Sequence, residues 1–284
     1  MRVMAGWTNY LGIEGRVILG LLALSFTLQT SPAWAEQSSV KATFNVTLSG
    51  VSIGRGNLSA TLTPESYSIG VAAKVTGIAR LVSSGEGAAQ VRGRYNARRV
   101  EPASYSINNT VDALKNSVSL EMHDNAVTSE SVMPPTPVSP NRVPLTSASR
   151  RGIIDPLSAF LALSEEKDML SPSNCERTLK IYDGRQRYDI AMAYARTETT
   201  RSGGDLAGPS LVCKAAWRPI AGHRTNNIET SHMEENRDVE ATLTPIPGTR
   251  FLLITRIAIG TSVGKLMIHA QNVSVTPNQQ ASLQ

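Results

Sequence analysis

The chain is short of the residue types that most catalytic and metal chemistry uses. Its 284 residues include only 2 cysteines, 4 histidines, 4 phenylalanines and 3 tryptophans. The four histidines, His123, His223, His232 and His269, have no metal-ligand spacing between them, and two cysteines without closely placed histidine do not make a zinc site. No C-x-x-C pair is present for redox exchange. No apolar run reaches the roughly 20 residues that a membrane-spanning helix needs. Lys and Arg are dispersed rather than striped, so the net charge of +5 does not point to nucleic acid. No cofactor or metal is expected, and no membrane span in the mature chain.

What is present begins with a leader. Arg2 and Arg16 precede the apolar run "VILGLLALSFTL", and Ala33 and Ala35 then form the small-x-small pattern of a secretory cleavage site. Residues 1–35 are expected to be a signal peptide cut after Ala35; the alternative is an uncleaved membrane anchor. Export makes the compartment oxidising, so Cys175 and Cys213 are expected to pair. They lie 38 residues apart, which a loop-closure argument converts to about 4 kcal/mol of stabilisation.

Residues 36–133 alternate with period two. Phe44, Val46 and Leu48 share one face, as do Leu58, Ala60 and Leu62, and Tyr67, Ile69, Val71, Ala73 and Val75. With turns read at "GRGN", "TPES" and "TGIA", this is an antiparallel meander with one buried and one wet face. Further strands are expected at 88–96, 103–111, 117–123 and 127–133. The proline-rich segment 134–152 reads as an extended surface loop. In "DPLSAFLALSEEKDML", Asp155 caps, Pro156 takes the first turn, and Leu157, Phe160 and Leu161 form an apolar stripe, which predicts an amphipathic helix. Hairpin strands follow to residue 275, at 177–182, 185–194, 210–217, 237–244, 250–259 and 265–275, and the polar tail 276–284 is expected to be disordered. The sum is a mainly β fold of about a dozen strands in a long curved antiparallel meander, an open barrel or spiral-like sheet, with one amphipathic helix.

The richest local signal is "RTLKIYDGRQRYDI". Asp183-Gly184 predicts a two-residue turn pairing Tyr182 with Arg185 and Lys180 with Arg187. Lys180, Tyr182, Arg185 and Arg187 would then share a face able to hold an anion, against the simpler reading of a solvated edge. A disulfide would bring "WRPIAGHR" near, adding Arg218, His223 and Arg224. Several enzyme-like strings fail on inspection. "SEEK" lies at the wrong end of its segment for a penicillin-recognising serine, "GTSVGKL" is too short for a phosphate loop, and "GPSLV" lacks the second glycine of a nucleophile elbow. No catalytic residue is assigned.

"DPLSAFL", "CERTLKIYDGRQRYDI", "GPSLVCKAAWRPIAGHR" and "RIAIGTSVGKLMIHA" resemble the exported proteobacterial family known as domain of unknown function 3108. The resemblance implies a periplasmic envelope protein of unassigned activity, with the two cysteines as a family-like pair and no catalytic residue. The expected function is binding: a lipid, lipoprotein or envelope protein segment held on the concave sheet, its anionic group on a cationic rim. The alternative is a hydrolase acting through His223 with Asp183 or Asp189.

Overall fold

The computed structural model describes residues 37–200 and 203–278. The leader and its cleavage site lie outside these residues. Seven strands form a first meander: β1 (Gln37–Leu48), β2 (Val51–Leu62), β3 (Ser66–Val75), β4 (Gly85–Tyr95), β5 (Val100–Val111), β6 (Leu114–His123) and β7 (Ala126–Met133). Eight more follow: β8 (Leu161–Leu163), β9 (Thr178–Tyr182), β10 (Arg187–Thr200), β11 (Gly203–Gly204), β12 (Gly208–Ala221), β13 (Val239–Pro245), β14 (Phe251–Thr261) and β15 (Gly264–Asn278). Among the described residues the single α-helix is α1 (Ile228–Glu235), between β12 and β13.

All fifteen strands belong to one sheet, whose main path runs β7-β6-β5-β4-β3-β2-β1-β15-β14-β13-β12-β10-β9. The first and last strands pair, Val40 opposite Val275 and Val46 opposite Ile268, so two meanders share a central join. Pairing is antiparallel except at the two-residue β11, which runs parallel to β15. The sheet does not close, because the edge strands β7 and β9 share no ladder. Residues 151–154 strap them together instead. Arg151 bridges to Ala126, Ile153 N donates to the Asn125 carbonyl at 3.0 Å, and Ile154 N donates to the Lys180 carbonyl at 2.8 Å. Tyr182 N returns a bond to the Ile154 carbonyl at 3.0 Å. Edge backbone groups that would otherwise be exposed thus find partners.

The alternation read from the sequence places the core. Val40, Ala60, Ile69, Val91, Tyr105 and Leu120 are cross-strand neighbours from β1 to β6, and every one is buried. Their counterparts on the other face, Ser59, Gly70, Gln90, Ser106 and Ser119, are small or polar. Leu157, Leu161, Leu163, Phe251 and Leu253 join the same apolar cluster. The sheet therefore wraps its own side chains, each large aliphatic contributing about 2 kcal/mol by burial.

Four expectations need correction. The segment from Asp155 is not a helix. Asp155 Oδ1 does accept from the backbone N–H of Leu157 and Ser158, at 2.9 and 3.0 Å, but only a short 3-10 turn, Ser158–Phe160, follows. The chain then extends as β8 and pairs with β14, Phe251 opposite Leu163 and Leu253 opposite Leu161. A short apolar run satisfies both periods, and the unpaired end of β14 selected the extended one. The helix that does form, α1, is capped by Asn227 and buries no side chain, so it carries no apolar stripe to find. "GRGN" is not a turn but the interior of β2; the turn is Ser49-Gly50, both with positive φ. The tail starts later than expected, since Thr276, Pro277 and Asn278 continue β15 opposite Ser39, Ser38 and Gln37. Residues 279–284 lie outside the described residues.

Candidate functional site

The hairpin of β9 and β10 forms where expected, with a wider turn. Tyr182 pairs with Arg187, Lys180 with Asp189 and Thr178 with Ala191. The loop is Asp183–Gln186 because Asp183 Oδ1 accepts from the N–H of both Arg185 and Gln186, each at 2.7 Å. This side-chain turn mimics backbone and displaces the two-residue alternative. Gly184, at φ 90°, lies against Val118 of β6, whose Cγ1 would be 2.4 Å from an added Cβ. Any other residue there would collide with the core.

The wider turn lifts Arg185 off the ladder, and burial and pairing take up most of the rest of the expected cationic face. Tyr182 is fully buried, its ring in the main core and its hydroxyl donating to Glu130 Oε2 of β7 at 2.8 Å. Arg150 completes the seam, holding Glu130 through bonds of 2.6 and 3.0 Å and standing 5.7 Å from the Tyr182 ring centroid. Burial pulls Glu130 upward, but Arg150 and Tyr182 outweigh it and hold the carboxyl below its ordinary range. Arg187 is buried and paired with Asp189. Arg185 donates to the carbonyls of Met133 and Pro134 at 3.1 and 3.0 Å, tying the proline-rich loop to the hairpin. Lys180 and Arg218 are exposed, on either side of Asp189 in the ladder. Tyr182, Arg185 and Arg187 are thus already held by partners within the chain.

His223 and Arg224 stand apart from that group, and the structure gathers others around them. Gly222, at φ 82°, lets the chain approach the Arg185 carbonyl and Gln186, placing His223 just beyond the hairpin loop. A cleft of about 350 Å³ there is lined by Arg142, Gln186, Trp217, His223, Arg224 and the start of α1. Arg142 reaches it from the proline-rich loop, one of its terminal N–H groups bonded to the Gly222 carbonyl and its backbone bridged to Arg224. Two residues that line this cleft carry buried nitrogens, Arg142 Nε and His223 Nδ1, that have no hydrogen-bond partner among the described residues. Burial lowers the His223 pKa from its ordinary 6.5, with Arg142 adding to the effect and Glu234 opposing it, so the ring is neutral at pH 7. Among the described residues no carboxylate ion-pairs with His223. Asp183 is spent on its own turn and Asp189 on Arg187, so the pairing that a His223-based hydrolase requires is not formed.

Cys175 and Cys213 form the expected disulfide, Cα atoms 5.4 Å apart. Cys175 sits ahead of β9 rather than on the hairpin, and the bridge lies in a second apolar cluster with Leu211, Leu243 and Leu252. The burial of one capping residue was not legible in the sequence. Asp155 is fully buried and accepts from the Ser158 hydroxyl, which is 2.7 Å from the Tyr67 hydroxyl. Burial pushes its pKa up to about 6, against the opposing pull of Ser158 and the backbone N–H groups. Arg142 and Glu130 were missed for a plain reason: one lies in a loop and the other on an alternating strand, where a charge carries no special signal.

Two larger hollows, about 820 and 880 Å³, lie over β1 to β6 on the face away from the core. The first is lined mainly by small and polar residues such as Asn57, Ala72, Ala88 and Asn108, so size alone does not mark a site. Among the described residues no three His, Cys, Asp or Glu side chains gather as metal ligands, and no helix is long and apolar enough to cross a membrane.

A single mainly antiparallel sheet, wound into a barrel-like form that stops short of closure around its own core, defines the class of protein. The family model described as "Protein of unknown function (DUF3108)" matches residues 43–271, and the chain belongs to that family. Comparison with curated proteins finds no match. A solved structure similar to it is a beta-barrel-like protein of domain of unknown function DUF1849 from Brucella abortus. The two are 8% identical with a TM-score of 0.45, over 85% of this chain and 98% of that one.

Proposed function

We propose that this is a non-catalytic binding protein, exported to the periplasm, whose cleft beside His223 receives an anionic group of an envelope component. The observation that carries the reading is a pair of buried nitrogens without a partner among the described residues, Arg142 Nε and His223 Nδ1, on two side chains that line the same cleft as Arg224. Buried polar atoms are nearly always hydrogen-bonded, so two in one cleft mark a place that a ligand completes. An arginine offers donors in a fixed fork suited to carboxylate or phosphate, and Trp217 supplies an apolar wall. At about 350 Å³ the cleft suits a head group rather than a whole acyl chain. The sheet's inner face is occupied by its own core, which favours the cleft over that face. Export is supported by the leader pattern and the disulfide.

Sulfate is a suitable probe because its charge is constant across the relevant pH range. Calorimetric titration is expected to show binding that tightens as pH falls through and below the ordinary imidazole range, where the His223 ring gains a proton beside the anion. Arg142→Gln should weaken sulfate roughly tenfold, and His223→Gln should remove the pH dependence. Sulfate binding that is the same in wild type and in the doubly substituted protein would sink the reading.

A further inference from the structure

The two ends of the barrel-like sheet are built differently. The β1–β2, β3–β4, β5–β6 and β14–β15 connections all emerge at one end, as alternation along the meander requires. They are tied into one rim. Ser49 N donates to the Lys265 carbonyl at 2.9 Å, Thr76 N to the Ile53 carbonyl at 3.0 Å, and Ser84 N to Asp112 Oδ1 at 2.8 Å.

Each connection lifts aliphatic side chains into solvent. The β3–β4 connection carries Ile78, Leu81 and Val82, the last two 88% and 90% exposed. Val111 and Leu114 flank the β5–β6 turn, Leu114 being 72% exposed. Val51 follows the β1–β2 turn, and Val263, 70% exposed, tips the β14–β15 turn. Seven of the twelve exposed large apolar side chains among the described residues therefore sit on this one rim. Single exposed apolar residues need no explanation, but a clustered set does.

The charge beside the rim is positive. Arg55, Lys74, Glu86, Thr110 and Lys115 are consecutive cross-strand neighbours from β2 to β6. They line the hollow of about 880 Å³ that borders the rim, three cations to one carboxylate. Arg80 lies within the β3–β4 connection itself. None of these four cations forms an ion pair among the described residues. Two acids at this end are engaged, Asp112 accepting from Ser83 and Ser84 and Asp238 from Lys265, while Glu229, Glu234 and Glu235 stand on α1 in the β12–β13 connection.

We propose that this rim docks on an anionic lipid bilayer, the aliphatic tips entering the acyl boundary and the basic row meeting the head groups. The geometry favours lipid over a protein partner. Protein interfaces concentrate aromatic anchors in packed pockets. The large apolar tips here are aliphatic, on four separate turns with polar residues between them, a surface that a fluid can cover without a matching shape. Apolar insertion with electrostatic attraction is the combination that holds peripheral proteins on anionic membranes. The hollow beside the rim shares no lining residue with the His223 cleft.

The test is flotation of the protein with vesicles of phosphatidylcholine alone or mixed with phosphatidylglycerol. Wild type should float with the mixed vesicles, little with the neutral ones, and less as salt rises. Leu81→Asp with Val82→Asp should lower the bound fraction roughly tenfold, since two aliphatics that enter the bilayer become charges. Lys74→Gln with Lys115→Gln should abolish the preference for anionic vesicles while leaving the fold intact, checked by circular dichroism. Residues 1–36 are common to all these proteins, so their contribution cancels. Arg142→Gln should float as wild type, which separates this site from the cleft. Equal flotation of wild type and the Leu81/Val82 variant, or no preference for anionic lipid, would overturn the proposal.

Discussion

Strands β2 and β14 show how differently the two halves of the sheet are used. In β2, Leu58, Ala60 and Leu62 are buried while Asn57 and Ser59 face solvent. In β14 the whole run Phe251–Thr255 is buried. Phe251 and Leu253 join the interior, and Leu252 and Ile254 join the second cluster with the disulfide. The cause is the segment from Phe160 through β8 to Leu170, whose Phe160, Ala162, Met169 and Leu170 pack over the outside of the C-terminal strands. The first meander is a one-sided sheet; the second is a layer between two cores. An uninterrupted apolar run such as "FLLI" is the expected signature of a strand covered on both faces.

That comparison can be broken most severely at the staple. Cys175→Ser with Cys213→Ser should cost about 4 kcal/mol in denaturant unfolding, because a closed loop of 38 residues is released in the unfolded chain. Next comes the outer layer itself. Leu252→Ala should cost about 3 kcal/mol, whereas Ser59→Ala, facing outward on β2, should stay within about 0.5 kcal/mol. Equal costs would mean that the C-terminal outer face is not a core.

A subtler effect comes from Asp155 in the interior. Its folded pKa of about 6 stands above the ordinary 3.8, so the folded chain binds the proton more tightly than the unfolded one. Its contribution to stability is full below pH 3.8 and is lost as pH rises through about 6. Asp155→Asn keeps the acceptor for Leu157 and Ser158 and should flatten the pH dependence of stability across that window, measured by urea titration at fixed pH values.

Much of the fold was legible along the chain. Period-two alternation placed nearly every long strand to within a few residues, because in a one-sided sheet each side chain reports its own face. The disulfide followed from two cysteines and an inferred compartment. The cationic face was misread because Asp183 closes a longer loop with its own carboxylate, taking Arg185 into the turn, and because Tyr182 and Arg187 are buried. His223 and Arg224 were found, but Arg142 was not, since only folding brings the proline-rich loop beside β12.

By itself, then, the sequence determined the strands, their buried faces and the staple, all of which depend on side-chain period or on simple pairing. Only tertiary structure decided that residues 161–163 extend rather than coil, that Tyr182 locks a seam with Glu130 and Arg150, and that Arg142 meets His223. Those outcomes depend on which distant backbone groups lack a partner. The free end of β14 and the two unpaired sheet edges recruit whatever segment can satisfy their hydrogen bonds.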